Sequence, residues 1–195
     1  MTVTKANADV LDLTDAYAFS GAVTGAGTAG GHEFVSKVTA SSSSTLQFTN
    51  MVAGYDYLYI FKHVLPATDN TTLSGVLGIA GPTFRTSTYL GFKSSISANT
   101  NQNGAETAKI QVHFHTQGNA DREALSGELL LLDPVATTKT DWFGFNHCAN
   151  PDYGKEMGYT QGFYNADESH TSIKFSYASG NIASGDFLQY RRPNA

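Results

Sequence analysis

The chain has 195 residues, with 12 Lys plus Arg against 17 Asp plus Glu, and its net charge of -5 leaves no basic face for nucleic acid. Apolar residues at 41% and aromatic residues at 12% suffice for a buried core, while no apolar run approaches the roughly 18 residues of a membrane-spanning helix. Charged residues are only 15%, Gly, Ser, Thr and Asn exceed a third of the chain, and the single cysteine, Cys148, excludes an intrachain disulfide. This balance favours a turn-rich all-β protein and disfavours helices.

The first segment, MTVTKANADVLDLTDAY, lacks a basic n-region and an apolar h-region, so no secretory signal is expected there. Residues 1–31 are expected to form an N-terminal arm and linker, and residues 32–195 a single domain. The arm carries Val10, Leu11, Leu13, Tyr17 and Phe19, followed by SGAVTGAGTAGG, which is too poor in apolar surface to fold alone. It reads either as a flexible linker or as an arm ordered against neighbouring subunits through those five residues.

Strand signals then recur at short spacing. Phe34, Val35 and Val38 mark one candidate, Ser41–Ser44 a turn, and Leu46 and Phe48 a short alternation. The most informative element follows, GYDYLYIFKHVLPATDN. Tyr55, Tyr57, Tyr59 and Phe61 share one face of a period-2 element, with Leu58 and Ile60 on the other. A strand apolar on both faces must be covered on both. The expectation is that one face fills the core and a second subunit or the arm covers the tyrosines, making Tyr55, Tyr57 and Tyr59 interface candidates. Pro66 and Asp69-Asn70 end the strand.

Residues 72–80 form a glycine-interrupted strand, and Gly81-Pro82 is a break. Tyr89, Leu90 and Phe92 lie in the next strand, and residues 94–106 read as a long polar loop. Alternation resumes over residues 107–116, with Ile110, Val112 and Phe114 on one face and Gln111, His113 and His115 on the other. Residues 125–132 form another strand apolar on both faces, residues 141–163 are aromatic and irregular, and Ile173, Phe175 and Tyr177 alternate again. Ser179–Ser184 turn the chain, and Phe187, Leu188 and Tyr190 close it. Eight or more short strands, with at most one helical turn over Ala120–Leu125, predict a β-sandwich or jelly-roll with an extended N-terminal arm.

Three pieces, Phe48–Gly78, Leu125–Pro134 and Tyr177–Tyr190, together resemble a family of small β-rich virion proteins of tailed bacteriophages, common in phages of cyanobacteria. KANADVLDLTDAYAFSGAVTGAG resembles the start of phage fibre chains. Family members often end in a compact Leu-Tyr-Gly-like strand, whereas this chain ends in Gln189, Tyr190, Arg191, Arg192 and Pro193. The resemblance implies a virion structural protein made in the host cytoplasm. It implies a homotrimer contacting the major capsid protein or tail proteins, as a capsid cement or decoration protein or a short fibre-type appendage. It implies no catalytic residues and no cofactor.

Candidate chemistry is sparse. His113 and His115 have a spacing metals use, and His147-Cys148 adds donors, but no second motif with metal-ligand spacing accompanies them. No metal is expected, and solvated or subunit-facing histidines are; stacked around a trimer axis, they would be pH-sensitive. Trp142, Phe145, Asn146 and Tyr153 form the alternative site, where aromatic rings would stack on a host surface glycan; the competing reading is a buried aromatic corner. Tyr159, Phe163 and Tyr164 extend that stretch and suit an interface. Asp133, Asp141, Asp152, Glu106, Glu123 and Glu128 show no pairing a glycosidase would need. There is no GxSxG elbow, and Gly25, Gly27, Gly30 and Gly31 do not follow a strand as a phosphate loop would. No enzymatic activity is expected. Arg191-Arg192 is read as a solvated pair.

Overall fold

The computed structural model describes residues 31–81, 83–97, 101–150 and 154–194. From His32 onward the chain forms one compact unit. Among the described residues the architecture is an all-β sandwich of two antiparallel sheets. Its strands are β1 (Glu33–Ser43), β2 (Leu46–Phe48), β3 (Tyr55–Pro66), β4 (Leu73–Ile79), β5 (Thr83–Phe84), β6 (Tyr89–Ser97) and β7 (Asn101–Glu106). They continue with β8 (Ile110–Gln111), β9 (Leu125–Leu132), β10 (Asp141–Asn150), β11 (Gly154–Tyr164), β12 (Ser172–Tyr177) and β13 (Ile182–Pro193). The large sheet has eight strands in the order β1-β13-β3-β9-β10-β11-β6-β7. The small sheet runs β2-β12-β4-β5, with β8 also on β4. A single 3-10 turn, Asp121–Glu123, precedes β9, and no described helix is long and apolar enough to cross a membrane.

The segments Phe48–Gly78, Leu125–Pro134 and Tyr177–Tyr190 are far apart in sequence, yet they contain β3, β9 and most of β13, which lie side by side in the large sheet. The period-2 pattern of β3 orients this group. Tyr57, Tyr59 and Phe61 point into the sandwich and are 0–1% exposed. They meet Phe175 of β12 from the opposite sheet, whose ring lies 5.5 Å from Tyr59, 5.3 Å from Phe61 and 5.5 Å from Phe187. Such tilted and edge-on contacts suit the ring quadrupoles. Past Phe61, β3 bulges at His63 (φ 49°). Gly185 of β13 (φ 120°) fits against that bulge; a Cβ there would lie 2.6 Å from the Cα of Val64.

The structure corrects the reading of the β3 tyrosines. Tyr57 and Tyr59 are core residues, because the tyrosine face is the one turned toward the small sheet; Tyr57 takes the backbone N–H of Val52 on its hydroxyl, and Gln189 donates to the hydroxyl of Tyr59. Tyr55 is half-buried under the guanidinium of Arg191, 4.4 Å from its ring centre. Arg191 and Arg192 are not simply solvated: they pair with Glu33 at 2.9 Å and Asp56 at 3.0 Å. Val10, Leu11, Leu13, Tyr17 and Phe19 lie outside the described residues.

Three further expectations change. Residues 94–97 and 101–106 lie in strands, not a loop: residues 91–96 of β6 pair with 101–106 of β7 at the sheet edge, where the polar pattern reflects exposure. Residues 141–150 and 154–163 are not irregular, because β10 and β11 pair without a break from Asp141↔Phe163 to Asn150↔Gly154. The alternation over 107–116 yields only the short strand β8, since the chain leaves the small sheet after Gln111.

Phe175 touches three aromatic residues across the sandwich, so Phe175→Ala should cost about 3–5 kcal/mol of unfolding free energy. Urea denaturation measures this; a loss below about 1 kcal/mol would mean that the cluster does not hold the sheets together.

Candidate functional site

The face of the large sheet turned away from the small sheet is the outstanding surface of this domain. Antiparallel sandwiches ordinarily alternate apolar-in and polar-out. Here the register builds an apolar row on the outside. Phe34 of β1 pairs with Tyr190 of β13, Tyr190 with Leu58 of β3, and Leu58 with Leu130 of β9. Leu130 pairs with Phe143 of β10, Phe143 with Gln161 of β11, Gln161 with Phe92 of β6, and Phe92 with Ala105 of β7. Every strand of the sheet contributes one residue, none is charged, and Gln161 is the only amide. A second row, Leu188, Ile60, Glu128, Phe145 and Tyr159, runs beside it and carries one carboxylate.

Much of this face is exposed, although Leu130 and Leu188 are buried, and Leu90, Ile96 and Met157 lie beside the two rows. Phe145 is 56% and Met157 59% accessible, and Leu90, Phe92, Ile96 and Phe143 are also exposed. At roughly 200 Å² for a large side chain, these six present roughly 600 Å² of apolar surface, at the upper end for a monomer. At ~25 cal/mol/Å² that is on the order of 15 kcal/mol of apolar hydration left unrelieved. Phe92, Phe143, Phe145, Tyr159 and Phe163 border an open groove of about 800 Å³ within the band.

The same alternation decides the glycan candidates. On β10, residues 143, 145 and 147 face out while Trp142, Gly144, Asn146 and Cys148 face in. Trp142 is 2% exposed and lies against Gly91 and Gly162; a Cβ on Gly162 would sit 2.6 Å from its ring and 2.4 Å from the Leu90 carbonyl oxygen. Asn146 is buried, and its amide donates to the Val112 carbonyl. Trp142 and Asn146 therefore cannot stack on or bond a sugar in solvent. Phe145 faces outward, and Tyr153 lies outside the described residues. Of the four candidates only Phe145 is thus available on the outer face, where its cross-strand neighbours are Glu128 and Tyr159.

His113 and His115 are likewise not solvated. They converge on one buried carboxylate, Glu156 of β11: the His113 Nε2–Oε2 distance is 3.1 Å and the His115 Nδ1–Oε1 distance is 2.7 Å. The far side of each ring meets an amide oxygen, Asn146 Oδ1 for His113 and Gln102 Oε1 at 2.6 Å for His115. Burial pushes the Glu156 carboxyl up, but the hydrogen bonds from His113 and His115 outweigh it and hold the group below the ordinary carboxylate range. The cluster ties the segment after β8 to the β10–β11 hairpin. Among the described residues no group of three or more His, Cys, Asp or Glu side chains is arranged to hold a metal ion. Burial pushes the Cys148 thiol up to about 12, so it is inert as a nucleophile at neutral pH.

Sequence reasoning singled out Phe145, Tyr159 and Phe163 but missed Leu90, Phe92, Phe143, Ile96 and Met157 as parts of one surface. The signal was available in the double-sided apolar pattern of β3 and β9, which leaves Leu58, Ile60 and Leu130 on the face opposite the core. No protein-family model matches the chain, and no curated protein matches it either.

Because the folded-state pKa of Glu156 is depressed, its contribution to stability is present above the unfolded carboxylate value of about 4.3 and is lost as pH falls through the folded value. Glu156→Gln should therefore reduce the loss of stability between neutral and acid pH and, by leaving two buried imidazoles without their carboxylate, cost about 3 kcal/mol at pH 7. Urea titrations of both proteins across that range measure this. An unchanged acid limb would show that Glu156 is not held ionised by the histidines.

Proposed function

We propose that this chain is a structural protein of a bacteriophage particle, made in the host cytoplasm and acting through protein association without catalysis. The observation that carries the association is the uncharged apolar row crossing all eight strands on the outer face of the large sheet. A surface of this kind is relieved by another protein surface. The phage assignment is supported by the three segments that resemble phage virion proteins. They supply Leu58, Leu130 and Tyr190 of the outer row as well as the core residues Tyr57, Tyr59 and Phe187.

In this reading the chain sits on the particle as a capsid cement or decoration protein or as a short fibre-type appendage, touching the major capsid protein or tail proteins. The homotrimer that the resemblance implies is one stoichiometry of such an assembly. The buried cores of the two sheets supply rigidity, and the outer face supplies adhesion.

The test is the particle itself. Mass spectrometry of purified virions should find the chain at many copies, and immuno-electron microscopy should place it on the capsid or tail. Phages carrying Phe143→Ser with Phe145→Ser should make folded protein but incorporate far less of it. Absence of the chain from purified particles would overturn the reading.

A further inference from the structure

We infer that a second copy of this chain covers the apolar band, outer face against outer face, about a two-fold axis lying in the plane of the interface. The inference rests on the assembly reading above and assigns its partner. The shape of the band selects the kind of occupant. It crosses the strands, and eight strands spaced 4.7–4.9 Å apart make it roughly 34 Å long. An added peptide strand would pair at an edge and run parallel to the strands. A wide, flat, two-row face instead suits a second sheet packed about 10 Å away.

Symmetry then selects a copy of the same chain. A straight band is complementary to itself under a two-fold axis in its own plane, so one rotation covers both copies and leaves no band exposed. The area is of the right size. The six exposed side chains summed above supply roughly 600 Å², and Phe34 with half-buried neighbours such as Leu58, Ile60 and Tyr159 brings the face toward the roughly 800 Å² per partner of a stable interface. The first row carries no charge, and Glu128 of the second row, exposed beside Phe145, is the one carboxylate that the pairing of the two rows has to accommodate. Phe143 and Phe145, central along the band, are the expected anchors.

Sedimentation equilibrium of the full 20.8 kDa chain across micromolar concentrations tests this. The expected species is a dimer. Phe145→Glu should shift it to monomer, and the milder Phe143→Ser and Met157→Thr should each weaken association by roughly 5- to 30-fold, up to the threshold of a single hot spot. Val52→Glu, an exposed apolar residue outside the band, should leave association unchanged. Circular dichroism checks each fold, and if Phe145→Glu unfolds, the two milder variants decide. A trimer overturns the two-fold pairing but leaves the virion reading standing. A monomer at every concentration overturns the second copy as occupant and leaves the band for another particle protein or the chain's own first thirty residues. Association indifferent to all band substitutions overturns the surface itself.

Discussion

A strand segment apolar at successive positions, as β3 is from Tyr57 to Phe61, can hide only one of its faces inside a sandwich, and this constraint organises the molecule. Tyr57, Tyr59 and Phe61 go inward, where Phe175, Phe48 and Phe187 form an aromatic cluster with Tyr59 and Phe61. The pleat then turns Leu58 and Ile60 outward without choice. Cross-strand register carries the consequence across the sheet, since every partner of Leu58 faces the same way. Phe143 and Phe92 are exposed on the outside, and Leu130 lies outward between its neighbours, for the same reason that Leu129, Leu131 and Trp142 face the core. Core packing and the outer apolar face are two sides of one alternation.

The polar interior at the far end of the large sheet serves this arrangement. Glu156, Asn146 and Thr160 occupy inner positions of β10 and β11 where a simple sandwich would place aliphatic side chains. His113 and His115 satisfy Glu156, and Asn146 bridges His113 and the Val112 carbonyl. The network holds the hairpin that presents Phe143, Phe145 and Met157. Stability there depends on hydrogen bonds fully made, and the depressed Glu156 carboxyl ties it to pH.

The strands richest in alternating apolar residues, β3, β9, β12 and β13, were legible because their core faces are mostly aliphatic or aromatic, with Gln189 of β13 and Gly127 of β9 as interruptions. The β10–β11 hairpin was not, because Gly144, Gly158 and Gly162 and the polar Asn146, Glu156 and Thr160 stand at inward positions, so the hydrophobic period is lost although the strands are long. Trp142 needs those glycines: its ring fills the space that side chains on Gly91 and Gly162 would take. β7 was hidden because an edge strand facing solvent carries no apolar signal. Of the candidate site, Phe145 was visible as an aromatic residue. Its role as one member of a band spanning distant strands depended on register, which local sequence does not contain.

We propose that the outer face of the large sheet is covered when the protein is assembled. Hydroxyl-radical footprinting of the full chain at high and low concentration tests it directly, because Met157 and Phe145 are both oxidisable and more than half exposed in a single copy. The account predicts that both are protected in the concentrated protein and become labelled on dilution, while buried Trp142 stays protected throughout. Equal labelling of Met157 and Phe145 at both concentrations would contradict it.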